Sequence, residues 1–133
     1  MTVRQKILIV DDQPDVRLMI RLALRDRFDL EEAGNAQAAY ELVLAQPPDG
    51  IVLDVMLPGT MNGMDLCKKI RSNPKLPHMH IVLITARGQL TDRARGLSSG
   101  ADAFFAKPFS PFALGLHLSD ALLAKSTQPA DGL

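Results

Sequence analysis

The chain has 133 residues, enough for one domain of ordinary size whose core buries roughly two-thirds of the surface of the unfolded form. Apolar residues make up 47% of the sequence and charged residues 23%, which argues against a disordered, collagenous or coiled-coil chain. Fifteen basic residues balance fifteen acidic ones, so no net charge draws the chain to nucleic acid or to an anionic membrane. No apolar run approaches the roughly 18–20 residues that span a bilayer. Met1 to Lys6 carries two cations but leads into only four apolar residues before Asp11, which does not read as a signal peptide. The single cysteine, Cys67, can form no internal disulfide, so a reducing, cytoplasmic location is expected.

Two kinds of pattern alternate along the chain. Ile7-Leu8-Ile9-Val10 is a short β-branched run suited to a strand buried on both faces. Pro14 opens a helix, capped by Asp12 or Gln13, with Val16, Met19, Ile20, Ala23 and Leu24 on one face. Phe28 to Ala33 is half polar and reads as an edge strand. Asn35 caps a second helix that runs to about Gln46, where Pro47-Pro48-Asp49-Gly50 breaks it. Ile51-Val52-Leu53 is the third strand, and a third helix covers about Gly63 to Arg71. Ile81-Val82-Leu83-Ile84 is the fourth strand, and Gln89 to Ser99 is a weak fourth helix. Ala103 to Ala106 is the fifth strand, and Ser110-Pro111 starts a last helix that reaches about Lys125. Residues 126–133 have no helical period and read as a flexible tail, which leaves one domain over residues 1–125.

Five strands alternating with five helices through short loops define an α/β fold, a parallel sheet wound on both faces. Four buried strands end in a reactive polar group: Asp11-Asp12, Asp54, Thr85 and Lys107. In an open parallel sheet these ends share one edge, the edge where ligands bind. Each group alone is ordinary, since an acid can cap a helix and a lysine can sit in a solvated turn. Together they are costly, because two carboxylates 4 Å apart repel by about 4 kcal/mol at an effective dielectric near 20. A cation relieves that repulsion, and oxygen-only ligands with open water positions suit Mg²⁺. With a lysine and a hydroxyl to hold phosphoryl oxygens, one carboxylate can attack phosphorus in line and form an acyl phosphate. Asp54 is the best nucleophile of the set.

Asp11-Asp12, Leu53-Asp54-Val55-Met56-Leu57-Pro58-Gly59, Thr85-Ala86 and Phe104-Phe105-Ala106-Lys107-Pro108-Phe109 resemble the motifs of the receiver domains of bacterial two-component response regulators, the CheY-like family. The likeness covers about residues 5 to 125, and the order and spacing of the motifs are more specific than any one of them. It implies a flavodoxin-like sheet with strand order 2-1-3-4-5. It also implies a regulatory phosphoacceptor rather than an enzyme, working in phosphorelay signal transduction. Asp54 then takes the phosphoryl group from a phosphohistidine on a sensor histidine kinase or a histidine phosphotransfer protein. Asp11, Asp12, Asp54 and the backbone carbonyl of Met56 hold Mg²⁺, Asp11 mainly through water. Lys107 pairs with Asp54 and then with the phosphoryl group. Thr85 and Phe104 form the switch, and the Lys107–Pro108 peptide is cis.

Two departures stand out. The family glycine after Asp54 comes nine residues on, at Gly63, one more than usual, so a one-residue loop insertion is expected. Met56 and Arg87 flank the site where the family tunes phosphoryl lifetime. Met56 offers no group to orient water, and slow self-dephosphorylation is expected.

On the last helix, Leu114, Leu118, Ala121 and Leu122 should face the sheet. Phe112, Leu116 and Leu123 fall on another face, beside Ala113 and Gly115, and suit self-pairing or a partner docked on the face of the fourth helix, fifth strand and fifth helix. Leu18 and Leu22 with Arg17, Arg21 and Arg25 make a mixed patch on the first helix that is either a dock for a phosphodonor or a solvated face. His78 and His80 offer two metal ligands without an evident third and read as loop residues, while His117 reads as an ordinary outer-face residue.

Two other classes fit less well. A small-molecule phosphatase with an aspartyl nucleophile usually has a second acid where Met56 stands, and it needs a cap for which there is no room. A flavin or nucleotide carrier wants a phosphate loop after the first strand, where Asp11-Asp12 would repel the ligand. Contact with nucleic acid or membrane is not expected. A single-domain response regulator is expected, the alternative being a receiver cut from a larger regulator or hybrid kinase, or one that acts without phosphate.

Overall fold

The computed structural model describes residues 4–86 and 98–127, and the side chains of its last helix to Leu123. Five strands form one parallel sheet in the order β2-β1-β3-β4-β5, as the resemblance implies. They are β1 (Lys6–Val10), β2 (Asp29–Ala33), β3 (Gly50–Asp54), β4 (His80–Ala86) and β5 (Ala103–Lys107). The helices among the described residues are α1 (Pro14–Leu24), α2 (Ala36–Ala45), α3 (Gly63–Arg71) and α4 (Pro111–Thr127). The expected helix over Gln89 to Ser99 lies, apart from its last two residues, outside the described residues, as do Arg87 and residues 128–133. The last helix runs two residues beyond the expected Lys125, so Ser126 and Thr127 belong to it rather than to a tail.

The β-branched runs sort the sheet. Every residue of β3, the central strand, is buried, while β2 at the edge is half exposed and polar. Alternate side chains feed two cores, one on each face. Leu8, Val10, Ile51, Leu53, Ile81 and Leu83 pack with α2 and α3. Ile7, Ile9, Val52, Val82 and Ile84 pack with α1 and α4. Each fully buried aliphatic side chain contributes roughly 1.5–3 kcal/mol, so the sheet is a rigid platform for its edges.

Local chemistry sets the helix starts. Asn35 caps α2 by accepting from the Ala38 amide at 2.8 Å. Asn62 and Asp65 form a reciprocal capping box on α3, each carboxyl or amide oxygen accepting from the other residue's backbone. Gln13 precedes α1 without a side-chain cap, and Pro14 in the first turn supplies the pre-set φ.

Two expected faces are corrected. Met19 belongs to the apolar stripe of α1 but is exposed, because it lies beyond the sheet's edge beside Lys107, Pro108 and Phe109. Gly115 was expected on the outer face of the last helix but is buried, because α4 leans on α1. A Cβ there would lie 3.4 Å from Leu24 and 3.2 Å from Arg27. The rest of the division holds: Leu114, Leu118 and Leu122 are buried, and Phe112, Leu116 and Leu123 are exposed.

Candidate phosphoacceptor site

Strand register brings the polar strand ends together. Val10 pairs with Leu53, Asp54 with Ile84, and Ala86 with Lys107, so Asp11, Asp54, Thr85 and Lys107 stand abreast at the carboxyl edge. Ligand oxygens of Asp11, Asp12 and Asp54 all lie within 4.8 Å of one another. Asp11 and Asp54 are each only 2% exposed, whereas Asp12 faces solvent.

Asp54 is held from two sides. Its Oδ1 accepts from the Met56 amide at 3.0 Å, and its Oδ2 accepts from Lys107 Nζ at 3.1 Å. The backbone is fixed as firmly, since the Val55 amide donates to the Ile84 carbonyl at 2.9 Å. Gly63 packs directly behind the acid. Its amide donates to the Val55 carbonyl at 3.0 Å, and a Cβ on it would sit 2.2 Å from the Asp54 carbonyl oxygen. The signal for that role was the glycine's place after the acid, but the reason, backbone against backbone, is visible only in three dimensions. The nine-residue interval leaves both ends in place, and Pro58, Gly59 and Thr60 arch into solvent, with Gly59 at φ +97°.

Asp11 Oδ1 accepts from the Gln13 amide at 2.8 Å. Burial pushes the Asp11 carboxyl up to about 6, and the neighbouring Asp54 charge pushes the same way, while the Gln13 amide and Lys107 oppose. The protein thus pays to keep this oxygen cluster charged. Its donor set, three carboxylates and no nitrogen or sulfur, fits a hard divalent cation.

Thr85 is buried at the end of β4. Phe104 is half buried and packs against the α2–α3 core. Met56 is 68% exposed and adds no polar side-chain group to the site. The Lys107–Pro108 peptide is cis. Beside the acids, Gln13, Val16, Met19, Lys107, Pro108 and Phe109 line a largely apolar hollow of about 430 Å³.

The mixed patch on α1 is less open than its sequence implies. Arg17 Nε and Arg21 Nε both donate to the Glu32 carboxylate on β2, and Arg17 Nη1 also donates to the Asp11 carbonyl. Burial resists the charge on Glu32, but the hydrogen bonds from Arg21 and Arg17 outweigh it and hold the carboxyl below its usual range. Leu18 and Leu22 remain exposed beside them.

A family model described as the response regulator receiver domain matches residues 7–119. Over 133 residues the chain is 39% identical to the DNA-binding response regulator MtrA of Mycolicibacterium smegmatis, covering 99% of this chain and 57% of the relative. It is 40% identical over 122 residues to the transcriptional regulatory protein SrrA of Staphylococcus aureus, covering 91% and 48%. Among solved structures, the signal receiver domain of a histidine kinase from Syntrophus aciditrophicus superposes with a TM-score of 0.84 at 28% identity, covering 95% of this chain and 96% of that one. The chain belongs to the response regulator receiver family. It spans about half the length of these two curated relatives. Among the described residues no helix is long and apolar enough to cross a membrane.

Proposed function

We propose that this chain accepts a phosphoryl group on Asp54 from a phosphohistidine and changes its binding surface in response. One observation carries the reading: a buried carboxylate gripped by a lysine and a backbone amide, with two more acids within 4.8 Å. The donor is a sensor kinase or a phosphotransfer protein. An Asp54 oxygen attacks phosphorus, the P–N bond breaks, and its electron pair stays on the donor's imidazole nitrogen. The backbone of Val55 and Gly63 keeps the attacking carboxylate still, so approach in line requires no rearrangement of the strand.

Asp11, Asp12, Asp54 and the Met56 backbone carbonyl would hold Mg²⁺, which supplies charge neutralisation on the phosphoryl oxygens. Lys107 moves its ammonium from Asp54 to the transferred group. The acyl phosphate adds up to about two negative charges, and the Thr85 hydroxyl turns toward them. Phe104 follows into the space that Thr85 leaves, and β5 with α4 carries the change to the exposed Phe112, Leu116 and Leu123. Coupling of this kind is typically worth about 1–3 kcal/mol. The Met56 thioether orients no water, so the phosphoryl group is lost slowly.

Incubation with a small phosphodonor and Mg²⁺, read by intact mass, tests the chemistry. The chain should gain one phosphoryl group, keep it for minutes, and lose the reaction in Asp54→Ala or when Mg²⁺ is chelated. A wild-type chain whose mass never changes would rule the reading out. Loss within seconds would overturn the lifetime alone.

A further inference from the structure

The opposite edge of the sheet carries a second cluster. His80 opens β4 and His117 sits midway along α4, 37 positions apart, yet their Nε2 atoms are 2.9 Å from each other. The rings meet tip to tip at a tilt of 41°, centroids 5.0 Å apart, and Phe105 closes one side edge-on to His117 at 5.5 Å. Behind His80, its Nδ1 lies 3.8 Å from Asp102 Oδ2. Asp102 is itself fixed, accepting from Arg71 Nη2 at 2.7 Å and from the Ile81 amide at 2.8 Å. His78 stands 3.7 Å from the other Asp102 oxygen, on the far side of the carboxylate.

We propose that His80 and His117 form a two-imidazole site for a divalent transition-metal ion, with Asp102 as a nearby carboxylate whose charge biases the His80 tautomer. Two nitrogens this close either share one proton or share a cation. Asp102 is too far from Nδ1 for a hydrogen bond, but its negative charge favours the His80 proton on that nitrogen, which leaves the Nε2 lone pair facing His117. The separation selects the ion. Two bonds of about 2.0–2.1 Å at right angles span about 2.9 Å, whereas a tetrahedral pair spans about 3.3 Å. Cis positions of a tetragonal ion, Cu²⁺ or Ni²⁺, therefore match the separation of the two nitrogens, and a small turn of the rings would aim both at the ion. Mg²⁺ does not compete, because it takes oxygen ligands. Among the described residues no third side-chain ligand joins the pair within 4.8 Å, so water would complete the shell. One ligand is on the sheet and the other on α4, so an ion would fasten the helix that bears Phe112, Leu116 and Leu123.

The test is calorimetric titration of Ni²⁺, and separately Cu²⁺, into the untagged chain held in excess Mg²⁺, with thermal unfolding followed in parallel. The proposal expects one ion per chain and a Tm that rises by a few degrees. His117→Ala should weaken binding at least tenfold and abolish the rise, while His78→Ala and Asp54→Asn leave both unchanged. His117 is only half buried on a helix, so its alanine variant should fold, and circular dichroism checks this. A wild-type chain that binds neither ion, with a Tm blind to both, would reduce the pair to a hydrogen bond. His117→Ala binding as tightly as wild type would place the ion elsewhere and overturn the proposal.

Discussion

The two edges of the sheet solve opposite electrostatic problems. At the carboxyl edge, Asp11, Asp12 and Asp54 crowd one another beside Lys107, and burial, reinforced by the Asp54 charge, pushes the Asp11 carboxyl up to about 6. At the amino edge, the Asp102 carboxylate is surrounded by donors: the Arg71 guanidinium, the Ile81 amide and two imidazoles within 4 Å. The first edge is held in tension. The second is satisfied by its own chain. A parallel sheet permits this contrast because its strand ends differ in kind, with loops and helix starts at one edge and returns from helices at the other.

The contrast is broken most severely at Gly63. Gly63→Ala drives a Cβ onto the Asp54 carbonyl, so stability should fall by about 3 kcal/mol or more, with phosphorylation reduced even in the folded fraction. Urea unfolding and the phosphodonor assay measure the two effects.

Asp11→Asn should do the reverse. It keeps an oxygen for the Gln13 amide and removes a repelling charge, so in metal-free buffer near pH 7.5 the variant should be more stable than wild type by about 1–3 kcal/mol. The sign depends on pH. The folded Asp11 carboxyl binds its proton more tightly than the unfolded one, so its contribution is favourable below about pH 4 and is lost as pH rises through about 6. The gain of the variant should therefore vanish by pH 4. A difference between the two proteins that stays constant from pH 4 to 7.5 would show that folding does not raise the Asp11 pKa.

At the satisfied edge, Arg71→Ala should cost about 1–2 kcal/mol. It uncovers the Gly100 and Met79 carbonyls together with Asp102, at a site partly reached by water. His80→Gln should have the smallest effect, seen only in the pH dependence. Burial lowers the His80 pKa, so the unfolded chain binds the proton more readily and stability is lost as pH falls below about 6.5. The variant should flatten that acid limb in chemical denaturation.

The strands and the carboxyl-edge site could be read from one dimension because their signals are local. A β-branched run marks a strand, the polar residue after it marks the edge, and parallel winding gathers those ends without further information. The amino edge was illegible for the same reason inverted. Joining His80 to His117 requires the register of β4 and the rotation of α4, neither of which any short window contains, and both residues read as surface. Arg17 and Arg21 looked like free cations because their partner, Glu32, lies one crossover away on β2. Met19 and Gly115 were misassigned because helical periodicity gives a face but not where the neighbouring surface stops.

The arch between Asp54 and Gly63 has a consequence for descent. Its two feet are clamped, one by the Gly63–Val55 hydrogen bond and the other by the Asn62–Asp65 box, so its span can lengthen or shorten without disturbing the acid beneath. Selection can therefore edit the crown of this loop freely, and kin that differ there in length can keep the same chemistry.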